Sequence, residues 1–261
     1  TKYLAWTTSD ILEQRAAPLL DAINKSMDKE AFVISHENTL GRPFVPGVAG
    51  LYPNVIRSAE LLRDYFGAYH PMVIYYIRSQ EQFIESYYLQ TIHEGGHQTF
   101  TEWMAAIDPG RVSWAPAVTA MRRAFGAENV IIRDFAHEMS DGQAGYLHSF
   151  FRTILPGLDP ESFSNFDYRE IRNASIGDKG LAIALAANPH LENRAERRLM
   201  RKFLQTNFSN RHYPRPALLD DSTKLAIRER YAAENSSLIS PPAPVKARGR
   251  RSWLEKILGK Q

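Results

Sequence analysis

The stretch MVIYYIRSQEQFIESYYLQ, Met72 to Gln90, joins a strand to a helix with almost nothing between them. Val73, Ile74, Tyr75, Tyr76 and Ile77 form a continuous run of β-branched and aromatic residues, the pattern of a parallel-sheet strand covered on both faces. Ser79 with Gln82 matches a capping box, so a helix is expected to begin directly after Arg78. Open α/β sheets bind ligands beyond the carboxyl ends of their strands, where helix N-termini offer unpaired N–H groups and a partial positive charge. Arg78 is thereby placed to hold a phosphate. Ser86 lies seven residues past the cap, about two turns at ~3.6 residues each, so it returns to the face of Ser79 and shares an anion with Arg78. The competing reading pairs Arg78 with Glu81 or Glu85 and leaves Ser86 facing solvent.

Working outward, the elements alternate. Ser9 or Asp10 caps an expected helix running to about Met27, and Ala31-Phe32-Val33-Ile34-Ser35 reads as a short strand ending in His36-Glu37-Asn38. A Gly/Pro loop follows through Gly50, then a helix over Pro53 to Phe66. After the Arg78 helix come short helices over Phe100 to Ile107 and Pro116 to Phe125, then a third strand, Asn129 to Arg133. Beyond Gly142 the pattern is helical, over 142–155, 175–187, 192–207 and 222–235. Strands alternating with helices predict an α/β fold with βαβ crossovers, a mainly parallel sheet flanked by helices and a helical C-terminal part.

Composition narrows the function classes. The 261 residues are 44% hydrophobic and 23% charged, enough for one sizeable core, and residues 1–240 are read as one domain. Cysteine is absent, which removes disulfides, thiolate metal sites and cysteine nucleophiles. His93 and His97 lie on Gly-rich HEGGH, a helix end rather than a zinc helix, so no metal is expected. No run reaches the ~18 apolar residues of a membrane span, and the N-terminus shows no signal-peptide pattern, so the expectation is a cytoplasmic enzyme.

The net charge of +3 is unevenly placed. Residues 246–261 carry Lys246, Arg248, Arg250, Arg251, Lys256 and Lys260 against Glu255, a net of +5, so the remainder stands at −2. That balance argues against a nucleic-acid partner for the globular part. Residues 241–261 read as a Pro-rich linker and a basic tail. Trp253, Leu254, Ile257 and Leu258 share one side of the tail if it is helical, which leaves anionic lipid, a partner, or plain solvation as its readings.

In this order the motifs are informative together. IRSQEQFIESYY, VISHENTLG followed by GLYPN, FGAENVIIRDF and NASIGDKGLAIALAANPHL resemble, in sequence, four segments of the bacterial sulfotransferases that use 3′-phosphoadenosine-5′-phosphosulfate. The resemblance spans about residues 30 to 240. It implies a P-loop-like three-layer fold in which Arg78 and Ser86 contact the donor's 3′-phosphate, and the VISHENTLG loop approaches the sulfate. It also implies a small-molecule or polysaccharide acceptor with a hydroxyl or amine. The family's 5′-phosphosulfate loop, rich in Gly, Lys and Thr, has no match in this sequence, which starts at Thr1. An upstream segment carrying that loop is therefore expected, the alternative being a non-catalytic, sulfotransferase-like binding module.

Sulfuryl transfer needs positioning, charge stabilisation and a base for the acceptor proton, by analogy with phosphoryl transfer. The resemblance aligns the family's acidic residue with Glu37, at the end of the expected first strand. His36 competes, because imidazole titrates near neutrality without tuning. Structural alternatives are an ion pair of Glu37 with Arg42 and a hydrogen-bonded, half-buried His36. Asn38 either supports the loop or binds acceptor. Arg133 ends its strand as Arg78 does, with a surface pair to Asp134 or Glu138 the expected use. Trp6, Trp103 and Trp114 are read as core residues before sugar platforms.

Overall fold

The computed structural model describes residues 21, 25, 33–35, 39–45, 47–154 and 174–239. Strand β1, Val73–Ile77, pairs in parallel with β2, Val130–Asp134. Val73 faces Val130 and Ile77 faces Asp134. Around this pair lie helices α1 (Val55–Phe66), α2 (Gln80–His93), α3 (Phe100–Ala105) and α4 (Ala115–Phe125). Helices α5 (Phe135–Glu138) and α6 (Gly142–Ile154) follow β2, and α7 (Asp178–Ala187), α8 (Arg194–Asn207) and α9 (Asp221–Leu238) complete the described part. The expected class is met at this level: α/β, with a small parallel sheet flanked by helices and a helical C-terminal part.

Two strand expectations need correction. Val33, Ile34 and Ser35, the described part of the expected first strand, are not in a ladder, and Val33 and Ile34 are about half exposed. With no strand paired to them among the described residues, their β-branched side chains stay half exposed, so propensity alone does not make a strand. In β1 only Ile77 is fully buried, and the other four residues keep partial exposure. The full two-faced cover expected for β1 instead describes the first three residues of β2, Val130 to Ile132. Of the expected N-terminal helix, Asp21 and Lys25 are described; both are helical and joined by an ion pair at 2.6 Å.

Helix α2 is the axis of the molecule. It buries Gln80, Glu81, Ile84, Glu85, Tyr88, Leu89 and Ile92, a stripe recurring every three or four residues that packs on α7 and α9. Three of those seven are polar, and a buried carboxylate is tolerated only when paired. Helix α9 supplies the partners. Arg228 donates to Glu81 at 3.0 Å, Lys224 lies 3.3 Å from Glu85, and the amides of Gln80 and Asn235 exchange two hydrogen bonds.

The end of α2 explains HEGGH. Gly95, at φ +98°, takes a left-handed conformation that L side chains resist; its N–H donates to Ile92, and that of Gly96 to Thr91. This is a Schellman termination, as the glycines suggested. A Cβ on Gly96 would stand 2.8 Å from the Thr91 carbonyl oxygen, so the turn admits no side chain there.

Candidate functional site

Arg78 stands one residue beyond β1 and two before α2, and three contacts fix it. Its carbonyl accepts a hydrogen bond from the Trp114 indole N–H at 2.8 Å, and Trp114 is itself buried. Its guanidinium sits over the Phe135 ring, with Cζ 4.2 Å from the centroid. Its Nη1 donates to the Ser86 hydroxyl at 3.3 Å. The parallel register explains Phe135: Asp134 faces Ile77, so the residue after β2 arrives beside the residue after β1. The structure thus brings Arg78 and Ser86 together, as their spacing predicts.

The competing reading fails on the same geometry. Glu81 and Glu85 turn away to Arg228 and Lys224, and among the described residues no carboxylate forms an ion pair with Arg78. The charge that acts on Arg78 among the described residues is another cation, Arg215. Burial lowers its pKa below the ordinary arginine value, and the charge of Arg215 lowers it further. Arg215 follows a segment stapled to the start of α7 by Gly177 N–H to Phe208, Asp178 N–H to Pro214 and Asn210 N–H to Ser175. Two guanidiniums within electrostatic reach, with no described anion between them, favour binding of an anion.

Ser79 departs from expectation. It is the N-cap of α2, yet its side chain makes no capping bond, and Gln82 is exposed rather than folded back. The Ser79 hydroxyl oxygen is buried without a partner. The first-turn N–H groups thus lack the side-chain acceptor that a capping box supplies, and α2 presents its positive end beside Arg78. Arg78, Ser79 and Ser86 are each half-buried. The polar cleft of about 300 Å³ between α8 and the 209–212 turn, lined by Lys202, Ser209, Arg211 and His212 among others, includes none of Arg78, Ser79 and Ser86.

Around the junction, aromatic side chains fix the walls. The hydroxyls of Tyr52 and Tyr75 are hydrogen-bonded to one another, and burial pushes Tyr52 up to about 12. Tyr52 belongs to GLYPN and has φ +51°, a strained value for a tyrosine that its docking on β1 and on Trp114 sustains. Trp103 and Trp114 are buried core residues, as expected, and Trp6 lies outside the described residues. Arg133 pairs with Glu138 at 3.8 Å, one of its two expected partners, but the pair is largely buried rather than on the surface.

Glu37, His36 and Asn38, the candidate base and its neighbours, lie outside the described residues. Among the described residues no group of three or more His, Asp or Glu side chains gathers for a metal. His93 is held neutral: burial, with the Arg201 charge as a second cause, brings its pKa down to about 4, and its Nε2 has no partner. No described helix is long and apolar enough to cross a membrane.

Three contributors escaped the sequence reading: Phe135, Arg215 and the Trp114 indole as a clamp on the Arg78 carbonyl. Phe135 had a signal, being the aromatic residue straight after the strand parallel to β1. Arg215 had none, since its position depends on how the 208–214 segment packs. Comparison of the chain with protein-family models, with curated proteins and with solved structures returned no match.

Proposed function

We propose that this protein is a sulfotransferase that moves a sulfuryl group from 3′-phosphoadenosine-5′-phosphosulfate to a hydroxyl or amine of a carbohydrate-like acceptor. The observation that carries the reading is the Arg78–Ser86 contact at the head of α2, with no described carboxylate neutralising the arginine. A phosphate at that point accepts from the guanidinium, from the Ser86 hydroxyl and from first-turn N–H groups, with Phe135 against the guanidinium. Arg215 adds a second positive charge. This is the chemistry a 3′-phosphate requires, and it agrees with the resemblance that assigns Arg78 and Ser86 to that group.

On this reading the β1–α2 and β2–α5 junctions belong to a P-loop-like three-layer fold whose further strands flank this pair. Transfer forms a bond from the acceptor oxygen to sulfur as the sulfur–oxygen bond to the 5′-phosphate breaks. Adenosine 3′,5′-bisphosphate leaves, and the acceptor proton passes to Glu37, or to His36 in its place. A general base of this kind contributes typically ~10²–10⁴ in rate. On this reading Arg78 and Ser86 hold the donor by its 3′-phosphate, and cations meet the charge on the departing phosphate.

Calorimetry of the full chain with adenosine 3′,5′-bisphosphate, and with adenosine 5′-monophosphate as control, tests the site. Binding that needs the 3′-phosphate and is lost in Arg78→Ala supports the reading. No binding, or equal binding by a folded Arg78→Ala protein, defeats it. Transfer of labelled sulfate from the donor to a sugar acceptor then separates the enzyme from a binding module: specific nucleotide binding without transfer selects the module.

A further inference from the structure

We infer that α8 is a docking surface for an anionic lipid membrane. The helix carries Arg194, Arg197, Arg198, Arg201 and Lys202, all exposed, against a single carboxylate, Glu196. That carboxylate is used locally, accepting from the Glu192 N–H and the Asn193 amide. None of the five cations forms an ion pair with a carboxylate among the described residues. On a globular surface such charge is usually interspersed with acids; here it is left uncompensated.

The apolar side of the helix is also incompletely covered. Leu204 is buried and Met200 half-buried against the core, but Leu199 is 67% exposed and Phe203 47%. These two sit one turn apart, between the buried edge of the helix and the row formed by Arg198 and Lys202. An exposed leucine and phenylalanine alongside a row of cations is the pattern of a helix lying in a bilayer interface, apolar side chains among the acyl chains and cations at the headgroups.

A protein partner fits the surface less well. Two side chains offer far less than the ~800 Å² per partner that a stable protein interface buries. A lipid surface needs no such area, because its negative potential acts on every cation near it. The attraction falls within a Debye length of about 8–10 Å, so it responds to salt. The surface is independent of the Arg78 site, and neither proposal depends on the other.

Flotation of the full chain with vesicles tests it. One set is phosphatidylcholine alone, the other contains about one third phosphatidylglycerol. The expected result is partition onto the anionic vesicles only, weakened by salt, about tenfold weaker in R194E/R198E, and weaker again in L199Q/F203Q. Thermal melting shows that the variants remain folded. Equal binding to neutral vesicles overturns the proposal. So does anionic binding that survives R194E/R198E, since the cations at 246–260 then carry it. A dimer in sedimentation that L199Q/F203Q dissolves makes a second copy the occupant and overturns it too.

Discussion

The two strands of the sheet end alike and are finished differently. Each delivers an arginine near its C-terminal end and passes directly into a helix: Arg78 into α2, Arg133 and Asp134 into α5. After β2 the chain satisfies itself, since Arg133 is paired with Glu138 and the Asp134 carboxylate accepts from the N–H groups of Ala136 and His137. After β1 it does not. Arg78 has a hydroxyl and a ring but no described carboxylate, and Ser79 caps nothing. The β2 junction is finished within the chain, whereas the β1 junction holds a cation, a hydroxyl and a helix N-terminus with no carboxylate among the described residues.

The contrast can be broken most strongly at the arginines. Arg78→Ala is expected to weaken adenosine 3′,5′-bisphosphate about 100-fold in calorimetry, the size of a lost charge-assisted contact. Arg133→Ala should change that affinity no more than about twofold, and instead cost about 1–2 kcal/mol in urea unfolding by leaving Glu138 unpaired. Equal effects of the two on nucleotide would erase the distinction.

The opposite end of α2 offers a test by pH. The folded protein holds His93 near 4 against an ordinary 6.5, so between those values the unfolded chain binds more protons. Stability should therefore fall as pH drops through that window, by about 2–3 kcal/mol at its acid end, and be fully present above 6.5. In His93→Leu the slope should flatten. An unchanged slope in acid unfolding would place the titrating group elsewhere.

The caps give the smallest effects and the sharpest pairing. Asp134→Ala removes a working cap and should cost about 1 kcal/mol in thermal unfolding. Ser79→Ala removes a hydroxyl that is buried and unpartnered, so it should leave stability within about 0.5 kcal/mol or raise it. A loss in Ser79→Ala as large as in Asp134→Ala would mean that Ser79 does cap α2.

Much of this contrast is legible in the amino-acid sequence. The strand at 73–77, the helix directly after Arg78 and the return of Ser86 to the same face follow from side-chain period and chain geometry, which are local. The same local logic misjudges Ser79. A capping box is recognised from residue types, but the bond needs the hydroxyl to turn back over the first helical turn, and here it is buried elsewhere. It also gives too much weight to Val33 to Ser35, whose propensity meets no paired strand among the described residues.

Where an arginine and a serine stand relative to one strand and one helix is dictated by the sequence alone, because backbone periodicity spans only a few residues. Whether that arginine is free was decided by the tertiary structure. Glu81 and Glu85 are its near neighbours in the chain, yet they are claimed by Arg228 and Lys224 of α9. A carboxylate buried on one face of a helix takes the cation packed against that face, whatever lies beside it in sequence. That choice, made across more than a hundred residues, leaves Arg78 with no carboxylate partner among the described residues.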